Sequence, residues 1–517
     1  MSLPKQSKLV SNSIKVLMAL MPSLALLVSV STAFASDVPG IRDRADLADF
    51  ATRWEGAMES LGVPGFTVAI IKDGELYAID QFGKRDLKGR PADADTMYYI
   101  ASCTKTYNGL AIAKLAQEGK LDLDAPVRTY LPQFKLADEA LASRVTVRDL
   151  LCHRYGINHD LIVFQDAYTG QITDEKYFAM LGEAESAGEI EYTNVHFTIL
   201  GHVIKAVTGK HWRDYLHDEI FTPLGMSRTS GYASQMYGDE NAAEPMIQLD
   251  GVWQRSSLIK SDRTMHAAGG LGTTARDAAT WIRLHLNGGT VDGSRLVSEQ
   301  TMDQILTMQA KHEKTRGRIR AMDGFAMAWF AGTWRSMTPY YQHGGGYLGA
   351  AAHLSFLPEK GIGVVVLANV AGSGHALCDI VSIDIYDRLL DVKDARDLLP
   401  SYEQRAQQMV ERQKGFDKDA INPAHGDGLS LSTESYVGEY VLDTYGTLAF
   451  SIENGDLVAR CGDLLLHLAQ ADEKDAFDGW IAPNMSVECS FKIDSKSGTV
   501  TGLTMIDEGE ELYFTKK

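Results

Sequence analysis

Two sets of apolar, strand-like segments lie far apart in this chain, with a long helical region between them. The first set is 66–71 and 75–79, joined by the turn Lys72-Asp-Gly74, and the second set ends with 361–367. Between the sets, residues from about 145 to 300 alternate helical apolar stripes with turn residues. This order predicts an α/β domain whose strands are interrupted by a large helical insertion.

Helical apolar spacing also occurs on the outer side of each strand set. It covers 47–61, before the first set, and 377–390, after the second. Both helices are expected to pack back on the strands. The order along the chain is therefore helix, strands, helical insertion, strands and helix.

The chain continues well beyond this unit. At 517 residues it is longer than one hydrophobic core usually organises, so two or more domains are expected. Residues 393–430 are polar and helix-prone and contain the turn-rich Pro423-Ala-His-Gly-Asp-Gly428, which predicts a linker after a first domain at 36–392. Period-two alternation over 431–517 predicts a small antiparallel barrel or sandwich.

Residues 1–35 have the pattern of a secretory signal peptide. Lysines precede an apolar run over 16–30, and Ala33-Phe34-Ala35 supplies small residues for cleavage. An uncleaved membrane anchor is the alternative, but the run is short for a bilayer span and Pro22 interrupts it. We predict a mature chain that begins near Ser36, is periplasmic or secreted, and has no stable membrane span.

Charge and cysteine content narrow the classes of partner and ligand. Fifty Lys and Arg against 68 Asp and Glu give a formal net charge of −18, which disfavours nucleic acid as a partner. The five cysteines are widely spaced and form no CxxC or Cys/His pattern, so no zinc site is predicted. Cys461 and Cys489 could pair in an oxidising compartment or could remain separate buried thiols.

The first motif that indicates chemistry is Ser102-Cys-Thr-Lys105, where the extended stretch 97–100 turns into a helix. Three residues are nearly one helical turn, so Lys105 is expected over the Ser102 hydroxyl. A desolvated lysine can accept the serine proton, and the helix N-terminus places a backbone N–H near a developing oxyanion. The pattern alone is weak, because Ser2-Leu-Pro-Lys5 and Ser257-Leu-Ile-Lys260 also match it. The latter lacks the strand-to-helix context, and we interpret it as an ordinary segment.

Two further motifs follow in chain order. Tyr192-Thr-Asn194 precedes a predicted helix over 195–207, and a phenol beside an ammonium group can have a lowered pKa and exchange protons with reacting groups. Asn194 would then orient the lysine and a substrate amide. In His343-Gly-Gly-Gly346, glycines let a substrate backbone approach, and the Gly346 N–H could complete an oxyanion hole. Each motif by itself is also compatible with ordinary structure, either a buried tyrosine with a capping asparagine or a strand histidine with a turn.

The order Ser-x-x-Lys, Tyr-x-Asn, His-Gly-Gly resembles that of the serine β-lactamase and penicillin-binding protein superfamily. It is most similar to the class C-like branch with D-aminopeptidases, D,D-carboxypeptidases and family VIII esterases. Three more segments are similar to the family's: Leu150-Leu-Cys-His-Arg-Tyr-Gly-Ile157, Pro223-Leu-Gly-Met226 and Gly269-Gly-Leu-Gly-Thr-Thr-Ala-Arg-Asp277. The resemblance covers about 45–390. It implies an α/β (α+β) fold with an antiparallel sheet flanked by helices, an all-helical lobe, and an active site in the groove between them.

The resemblance implies a role for each matching residue. These are the nucleophile Ser102, the acid/base pair Lys105 and Tyr192, the substrate-positioning residues Asn194, His343 and Gly345, and the oxyanion-binding backbone amides of Ser102 and Gly346. Class C β-lactamases usually have Lys-Thr-Gly where this chain has His343-Gly-Gly, and their lysine helps to bind the antibiotic carboxylate. Efficient β-lactamase activity is therefore not expected.

The C-terminal segment also carries a resemblance. Tyr436-Val-Gly-Glu-Tyr440 and Tyr445-Gly-Thr447 resemble parts of the lipocalin-like barrel that follows some peptidases and esterases of this superfamily. Such a domain would shape or cover the cleft, mediate self-association, or only stabilise the chain.

Together these features predict an exported serine hydrolase that forms an acyl-enzyme on Ser102. We expect a peptidase or amidase on short peptides, a class that includes D-residue-containing and non-ribosomal peptides. The alternatives are a carboxylesterase on short acyl esters, a β-lactamase, and a non-catalytic penicillin-recognising protein. No motif indicates a metal, nucleotide or flavin cofactor; His312-Glu-Lys-Thr-Arg, for example, lacks a second histidine. The predicted partners are a small-molecule or short-peptide substrate and, in a homo-oligomer, further copies of the chain.

Overall fold

The computed structural model describes residues 38–249, 251–316, 319–393, 395–413, 428–471, 473–482, 485–507 and 510–517. The predicted signal peptide and most of the predicted turn at 423–428 lie outside these ranges. The described helices are α1 (Ala48–Leu61), α2 (Thr104–Gln117), α3 (Glu139–Ala142), α4 (Val147–Leu151), α5 (Asp160–Phe164), α6 (Asp174–Leu181), α7 (Asn194–Thr208), α8 (Trp212–Leu216), α9 (Ala233–Gly238), α10 (Ala275–Leu286), α11 (Glu299–Leu306), α12 (Ser373–Leu389) and α13 (Leu399–Gln413).

The strands fall into two regions of the chain. The first region contains β1 (Gly65–Lys72), β2 (Glu75–Gly83), β3 (Tyr98–Tyr99), β4 (Ile157–Asn158), β5 (Glu185–Ser186), β6 (Met246–Leu249), β7 (Val252–Arg255), β8 (Gly272–Thr273), β9 (Thr290–Val291), β10 (Ser294–Arg295), β11 (Ala310–Arg316), β12 (Arg320–Ala326), β13 (Trp329–Trp334), β14 (Thr338–Tyr347), β15 (Ala350–Leu357) and β16 (Ile362–Ala368). The second contains β17 (Gly438–Leu442), β18 (Gly446–Glu453), β19 (Asp456–Cys461), β20 (Leu464–Gln470), β21 (Ala476–Ala482), β22 (Met485–Ile493), β23 (Val500–Asp507) and β24 (Glu510–Lys516).

The early and late strands of the first region join in one sheet of eight antiparallel strands. Its order is β11-β12-β13-β14-β15-β16-β1-β2. The last strand, β16, pairs with the first, β1, from Phe66↔Ala368 to Ile71↔Gly363. Both strands are buried along nearly their whole length, as expected where helices cover both faces of a sheet. The predicted antiparallel sheet flanked by helices is therefore confirmed.

Alternate residues of β1 enter two different cores. Phe66, Val68 and Ile70 face the core that also contains Trp54 of α1 and buried residues of α12. Ala69 and Ile71 face the core shared with α2, α10 and the helices between α2 and α10. This period of two is the ordinary geometry of a strand. The helices between α2 and α10 form the predicted helical lobe.

The second region is a closed barrel of eight antiparallel strands in chain order, closed by pairing of β17 with β24. Large side chains fill its interior, among them Tyr436, Tyr440, Phe450, Phe491 and Phe514. The predicted barrel is thus present, and its centre is a packed core. The boundaries at 36–392, 393–430 and 431–517 stay predictions.

The structure answers two smaller questions left by the sequence. All five cysteines are buried and free, so Cys461 and Cys489 are separate thiols in the barrel. Among the described residues, no helix is both long enough and apolar enough to cross a bilayer.

Candidate active site

Ser102 lies in a tight turn between a short strand and a long buried helix. A 3-10 turn, Ala101–Cys103, connects β3 to α2. Ala101 has a positive φ of 43°, which is unfavourable for a residue with a Cβ and often occurs where a functional side chain is presented. Ser102 is half-buried, whereas Ala101 and Cys103 on either side are buried. The turn therefore presents the serine and hides its neighbours.

Lys105 lies one turn along the same helix, under the serine. Its side chain is fully buried, and Nζ lies 3.1 Å from Ser102 Oγ, 2.7 Å from Asn194 Oδ1 and 2.8 Å from the Ala268 carbonyl oxygen. Burial holds the pKa of Lys105 well below its usual value. A neutral amine has two N–H donors and one lone pair. The amide and carbonyl oxygens take the two donors, and the lone pair is left for the Ser102 hydroxyl proton.

Asn194 and Tyr192 approach from the helical lobe. Asn194 is the first residue of α7, and the Thr193 hydroxyl caps this helix by accepting from the Val195 N–H. The Tyr192 side chain is near enough to Ser102 for the serine to lower the pKa of its hydroxyl, and Lys105 Nζ lies 4.8 Å from the centre of the tyrosine ring. Ser102, Lys105, Tyr192 and Asn194 therefore meet in one cluster, although the two pairs are almost ninety residues apart in the chain.

The pKa of Tyr192 shifts in the opposite direction to the sequence argument. That argument had a neighbouring ammonium group lower it, but burial raises it, and the nearby Ser102 opposes the rise only in part. Because Lys105 is itself driven toward the neutral form, it offers no full positive charge to stabilise a tyrosinate. Burial thus favours the phenol form of Tyr192 and the neutral amine of Lys105 in the resting site.

His153 holds the tyrosine segment in place, a role the sequence did not reveal. It is buried with a positive φ of 56°. Its Nδ1 accepts from the Thr193 N–H at 3.3 Å, and its carbonyl accepts from the Glu191 N–H at 3.0 Å. Its ring also packs 4.6 Å from that of Tyr192. The only available signal was its position in the segment Leu150–Ile157, whose partner strand could not be inferred.

Strand β14 presents an open edge beside the serine. Its pairing with β13 ends at Phe330↔Gln342, whereas its pairing with β15 continues to Tyr347↔Ala350. Residues 343–347 therefore have no β13 partner on this edge, where an extended substrate can add as a further strand. Gly346 lies on this edge.

Close packing explains the glycines at the end of β14. A Cβ on Gly345 would lie 2.0 Å from the Ile100 carbonyl oxygen, so only glycine lets the strand approach the turn at Ala101–Cys103, here called the nucleophile turn, so closely. A Cβ on Gly346 would lie 2.7 Å from His375 Nε2, and this same nitrogen lies 3.0 Å from the Gly345 carbonyl oxygen. Gly345 thus has a packing role in addition to the predicted substrate contact.

His343 is buried, with 1% of its surface exposed. Its Nδ1 lies 2.7 Å from the Gly344 carbonyl oxygen, and its ring is 6.1 Å from that of Tyr192. Burial lowers the pKa of His343 to about 3, so the ring is neutral. Its ring thus lies next to that of Tyr192, and its substrate-positioning role stays a prediction.

The second Ser-x-x-Lys pattern forms no site of its own. Ser257 is exposed, whereas Lys260 is buried. Among the described residues, no three His, Cys, Asp or Glu side chains are arranged to hold a metal ion.

A nucleophile turn with a buried lysine, a phenol from a helical lobe and an open strand edge define a chain of the serine hydrolase superfamily. The chain belongs to the beta-lactamase family, whose model matches residues 50–383. Protein flp of Staphylococcus aureus (strain MW2) is 27% identical over 314 residues, which is 60% of this chain and 60% of that protein. The chain thus spans less than two thirds of that relative.

Solved structures show the same fold. The octameric penicillin-binding protein homologue from Pyrococcus abyssi has a TM-score of 0.57 and 21% identity, and the match covers 90% of this chain and 100% of that one. The D-amino acid amidase from Ochrobactrum anthropi SV3 has a TM-score of 0.54 and 21% identity, over 68% of this chain and 100% of that one. The predicted family resemblance is therefore confirmed.

Proposed function

We propose that this protein is an exported amide hydrolase that acts on short peptides through an acyl-enzyme on Ser102. The observation that carries the proposal is the position of Lys105 Nζ, which lies 3.1 Å from Ser102 Oγ and has Asn194 Oδ1 and the Ala268 carbonyl oxygen as its two other partners. A neutral lysine in this position can take the Ser102 proton as Oγ attacks. The substrate-positioning role of Asn194 would use its remaining amide N–H groups.

In acylation, Oγ of Ser102 bonds to the substrate carbonyl carbon as its proton passes to Lys105. The carbonyl oxygen becomes an oxyanion, which accepts from the Ser102 and Gly346 backbone N–H groups. The C–N bond then breaks, and the leaving amine takes a proton from the Tyr192 hydroxyl, which is replenished from Lys105. In deacylation, water attacks the ester carbonyl of the acyl-enzyme by the same proton transfers, the bond to Ser102 Oγ breaks, and the carboxylic acid leaves with the Ser102 hydroxyl restored.

Two observations bear on the substrate class. The D-amino acid amidase among the structural neighbours has a name that gives an amide substrate, which supports an amide over an ester. The buried, neutral His343 stands where class C β-lactamases usually have a lysine for the antibiotic carboxylate, so this position offers no cation. We therefore place β-lactam hydrolysis, and the non-catalytic penicillin-recognising role, behind amide and ester hydrolysis.

The test is steady-state hydrolysis by purified residues 36–517 of matched D- and L-aminoacyl anilides, short peptides and a nitrophenyl ester. Ser102→Ala, Lys105→Ala and Tyr192→Phe should each lower turnover by orders of magnitude, and the losses should be non-additive because they share one proton path. Ser257→Ala is the matched control, because it removes the serine of the other Ser-x-x-Lys pattern. Activity in Ser102→Ala equal to wild type would refute the assignment.

The same assay separates the alternatives. Amide cleavage at rates comparable to the ester supports a peptidase and gives its stereochemical preference, whereas ester cleavage alone means a carboxylesterase. A penicillin-recognising protein would give one stoichiometric burst and stop.

Location and assembly belong to the same proposal. N-terminal sequencing of the exported protein should begin near Ser36. The neighbour from Pyrococcus abyssi is octameric by its title, and light scattering on the mature chain tests for a homo-oligomer here.

A further inference from the structure

The C-terminal barrel is docked on the helical lobe by specific hydrogen bonds. Gln165 Nε2 donates to the Thr444 and Tyr445 carbonyls at 2.7 and 3.0 Å. Gln171 exchanges hydrogen bonds with the Thr447 backbone, at 2.9 Å in both directions. Each bond joins a lobe side chain to a turn or strand end of the barrel. The interface therefore depends on the detailed shape of both partners.

A second contact fixes the segment that carries Lys260. Asp463, in the turn between β19 and β20, accepts hydrogen bonds from Ser261 Oγ and from Arg263 Nε, the latter at 3.0 Å. Its backbone N–H donates to the Thr169 carbonyl at 2.9 Å. This close approach of the turn to Thr169 requires a glycine at the preceding position, since a Cβ on Gly462 would lie 2.1 Å from the Thr169 carbonyl oxygen. Asp463 thus ties the two lobe segments around Thr169 and Ser261 to the barrel.

From this interface a series of aromatic rings runs toward Ser102. Tyr445 of the barrel packs 5.2 Å from Phe164, which lies 6.3 Å from Tyr168. Tyr168 lies 5.8 Å from Tyr347, and Tyr347 lies 5.6 Å from Tyr99. These distances are within the range of direct ring contact.

Lys260 is enclosed at the middle of this series. It is 3% exposed, and its Nζ lies 4.2 Å from the ring centre of Tyr347 and 5.2 Å from that of Tyr168. The amine also donates to the Ala167 carbonyl, in the same segment as Tyr168. Burial lowers the pKa of Lys260 to about 7, and the nearby Asp166 carboxylate opposes this shift. The mechanism above does not use this lysine.

The far end of the series is attached to both oxyanion-binding segments. Tyr347 directly follows Gly346, and Tyr99 lies three residues before Ser102. The Tyr99 hydroxyl donates to the Gly269 carbonyl, next to the Ala268 carbonyl that accepts from Lys105. A shift of the Tyr347 ring would therefore move the open end of β14 relative to the serine turn.

We propose that Lys260, Tyr168 and Tyr347 form a positioning unit through which the docked barrel holds the Gly346 amide in place for oxyanion binding. The barrel is then a working part of the hydrolase. This inference rests on the proposed function, since it assumes an oxyanion on the Ser102 and Gly346 amides. It commits the C-terminal domain to one of the three roles that the sequence left open.

The test measures kcat and KM on nitrophenyl acetate, whose acyl group is small, together with the melting temperature and the affinity for phenylboronic acid. A boronate that bonds to the serine mimics the tetrahedral intermediate and reports on the oxyanion site. Lys260→Met and Tyr347→Leu should lower kcat about tenfold or more and weaken boronate binding in parallel, with KM within about twofold. Tyr347→Phe keeps the ring and should keep most of the activity.

The barrel end is tested at a distance from the chemistry. Asp463→Ala should lower kcat several-fold and should add little to Lys260→Met, because both changes act on one path. Glu453→Ala is the matched control. Glu453 forms a solvent-exposed ion pair, 3.1 Å long, with Arg460 of the same barrel, and neither residue takes part in the contacts with the helical lobe described above. It should leave kcat unchanged.

The outcomes are distinguishable. Wild-type kcat and boronate affinity in stably folded Asp463→Ala and Tyr347→Leu would overturn the inference while leaving the proposed function intact. Loss of activity in Glu453→Ala equal to that in Asp463→Ala would also overturn it, since barrel stability alone would then be the cause. Absence of Ser102-dependent hydrolysis in the wild type would instead overturn the proposed function.

Discussion

Replacing Gly345 by alanine should damage catalysis far more than a single methyl group usually does. The added Cβ would lie 2.0 Å from the Ile100 carbonyl oxygen, a backbone atom that cannot rotate away. A carbon and an oxygen need about 3.3 Å, so β14 and the nucleophile turn would have to separate by about 1.3 Å. The displaced elements carry the two backbone amides, of Ser102 and Gly346, that we propose bind the oxyanion.

A misplacement of about 1 Å at a reacting group can cost about 100-fold in rate, so kcat of Gly345→Ala should fall about 100-fold. Overpacking should also cost about 1–3 kcal/mol of stability, which lowers the melting temperature by only a few degrees in a chain of this size. The measurement is steady-state hydrolysis of a nitrophenyl ester alongside thermal unfolding. KM should change much less than kcat.

Gly344→Ala is the matched control, one residue away on the same strand. A Cβ there would meet only the Ala352 carbonyl oxygen, at 3.8 Å, which is ordinary contact. Because Gly344 also lies on the edge where substrate adds, the kcat of Gly344→Ala should fall somewhat, but far less than that of Gly345→Ala. The reasoning fails if Gly345→Ala retains more than half of the wild-type kcat, or if the two alanine variants lose activity equally.

Two further predictions concern buried ionisable groups. Burial lowers the folded-state pKa of Lys105, so between this pKa and the unfolded value of about 10.4 the lysine binds a proton only in the unfolded chain. Proton binding then favours unfolding. Over that range each unit fall in pH lowers the free energy of unfolding by up to about 1.4 kcal/mol. Lys105→Met should therefore raise the melting temperature more at pH 6.5 than at pH 8.5, and a gain independent of pH would contradict the assigned protonation state. Burial also raises the pKa of Cys461 and of Cys489 to about 12, so a thiol reagent should label neither in the native protein and all five cysteines after denaturation without reductant. Labelling of only three after denaturation would mean that these two form a disulfide.

Much of the fold could be predicted because its elements follow simple periods. The helix expected over 47–61 is α1 (Ala48–Leu61), and the one expected over 377–390 is the last part of α12 (Ser373–Leu389). The apolar runs of β1 and β16 indicated strands covered on both faces. Strand order could not be derived in the same way, since the pairing of β1 with β16 joins residues at opposite ends of the domain.

The candidate site was predictable where chemistry restricts residue type and was missed where packing decides. The predicted nucleophile, base and amide could be recognised because each function requires a particular residue type at a particular spacing. His153 could not be recognised in this way, because it acts by accepting a hydrogen bond from the Thr193 N–H, in a segment forty residues away. The pKa of Tyr192 was assigned the wrong direction for a related reason: the sequence showed a lysine nearby but did not show that the phenol itself is fully buried, and this burial raises its pKa.

The two Ser-x-x-Lys patterns show how local conformation decides what a spacing means. On a helix, residues i and i+3 share a face, so Lys105 lies 3.1 Å from Ser102 Oγ. In an extended chain, side chains alternate between opposite sides, and an interval of three sends them apart. Residues 257–260 belong to no helix, and Ser257 is accordingly exposed while Lys260 is buried. The same four-residue pattern thus places a lysine amine beside a serine hydroxyl in one segment and, in the other, a buried lysine amine beside two tyrosine rings.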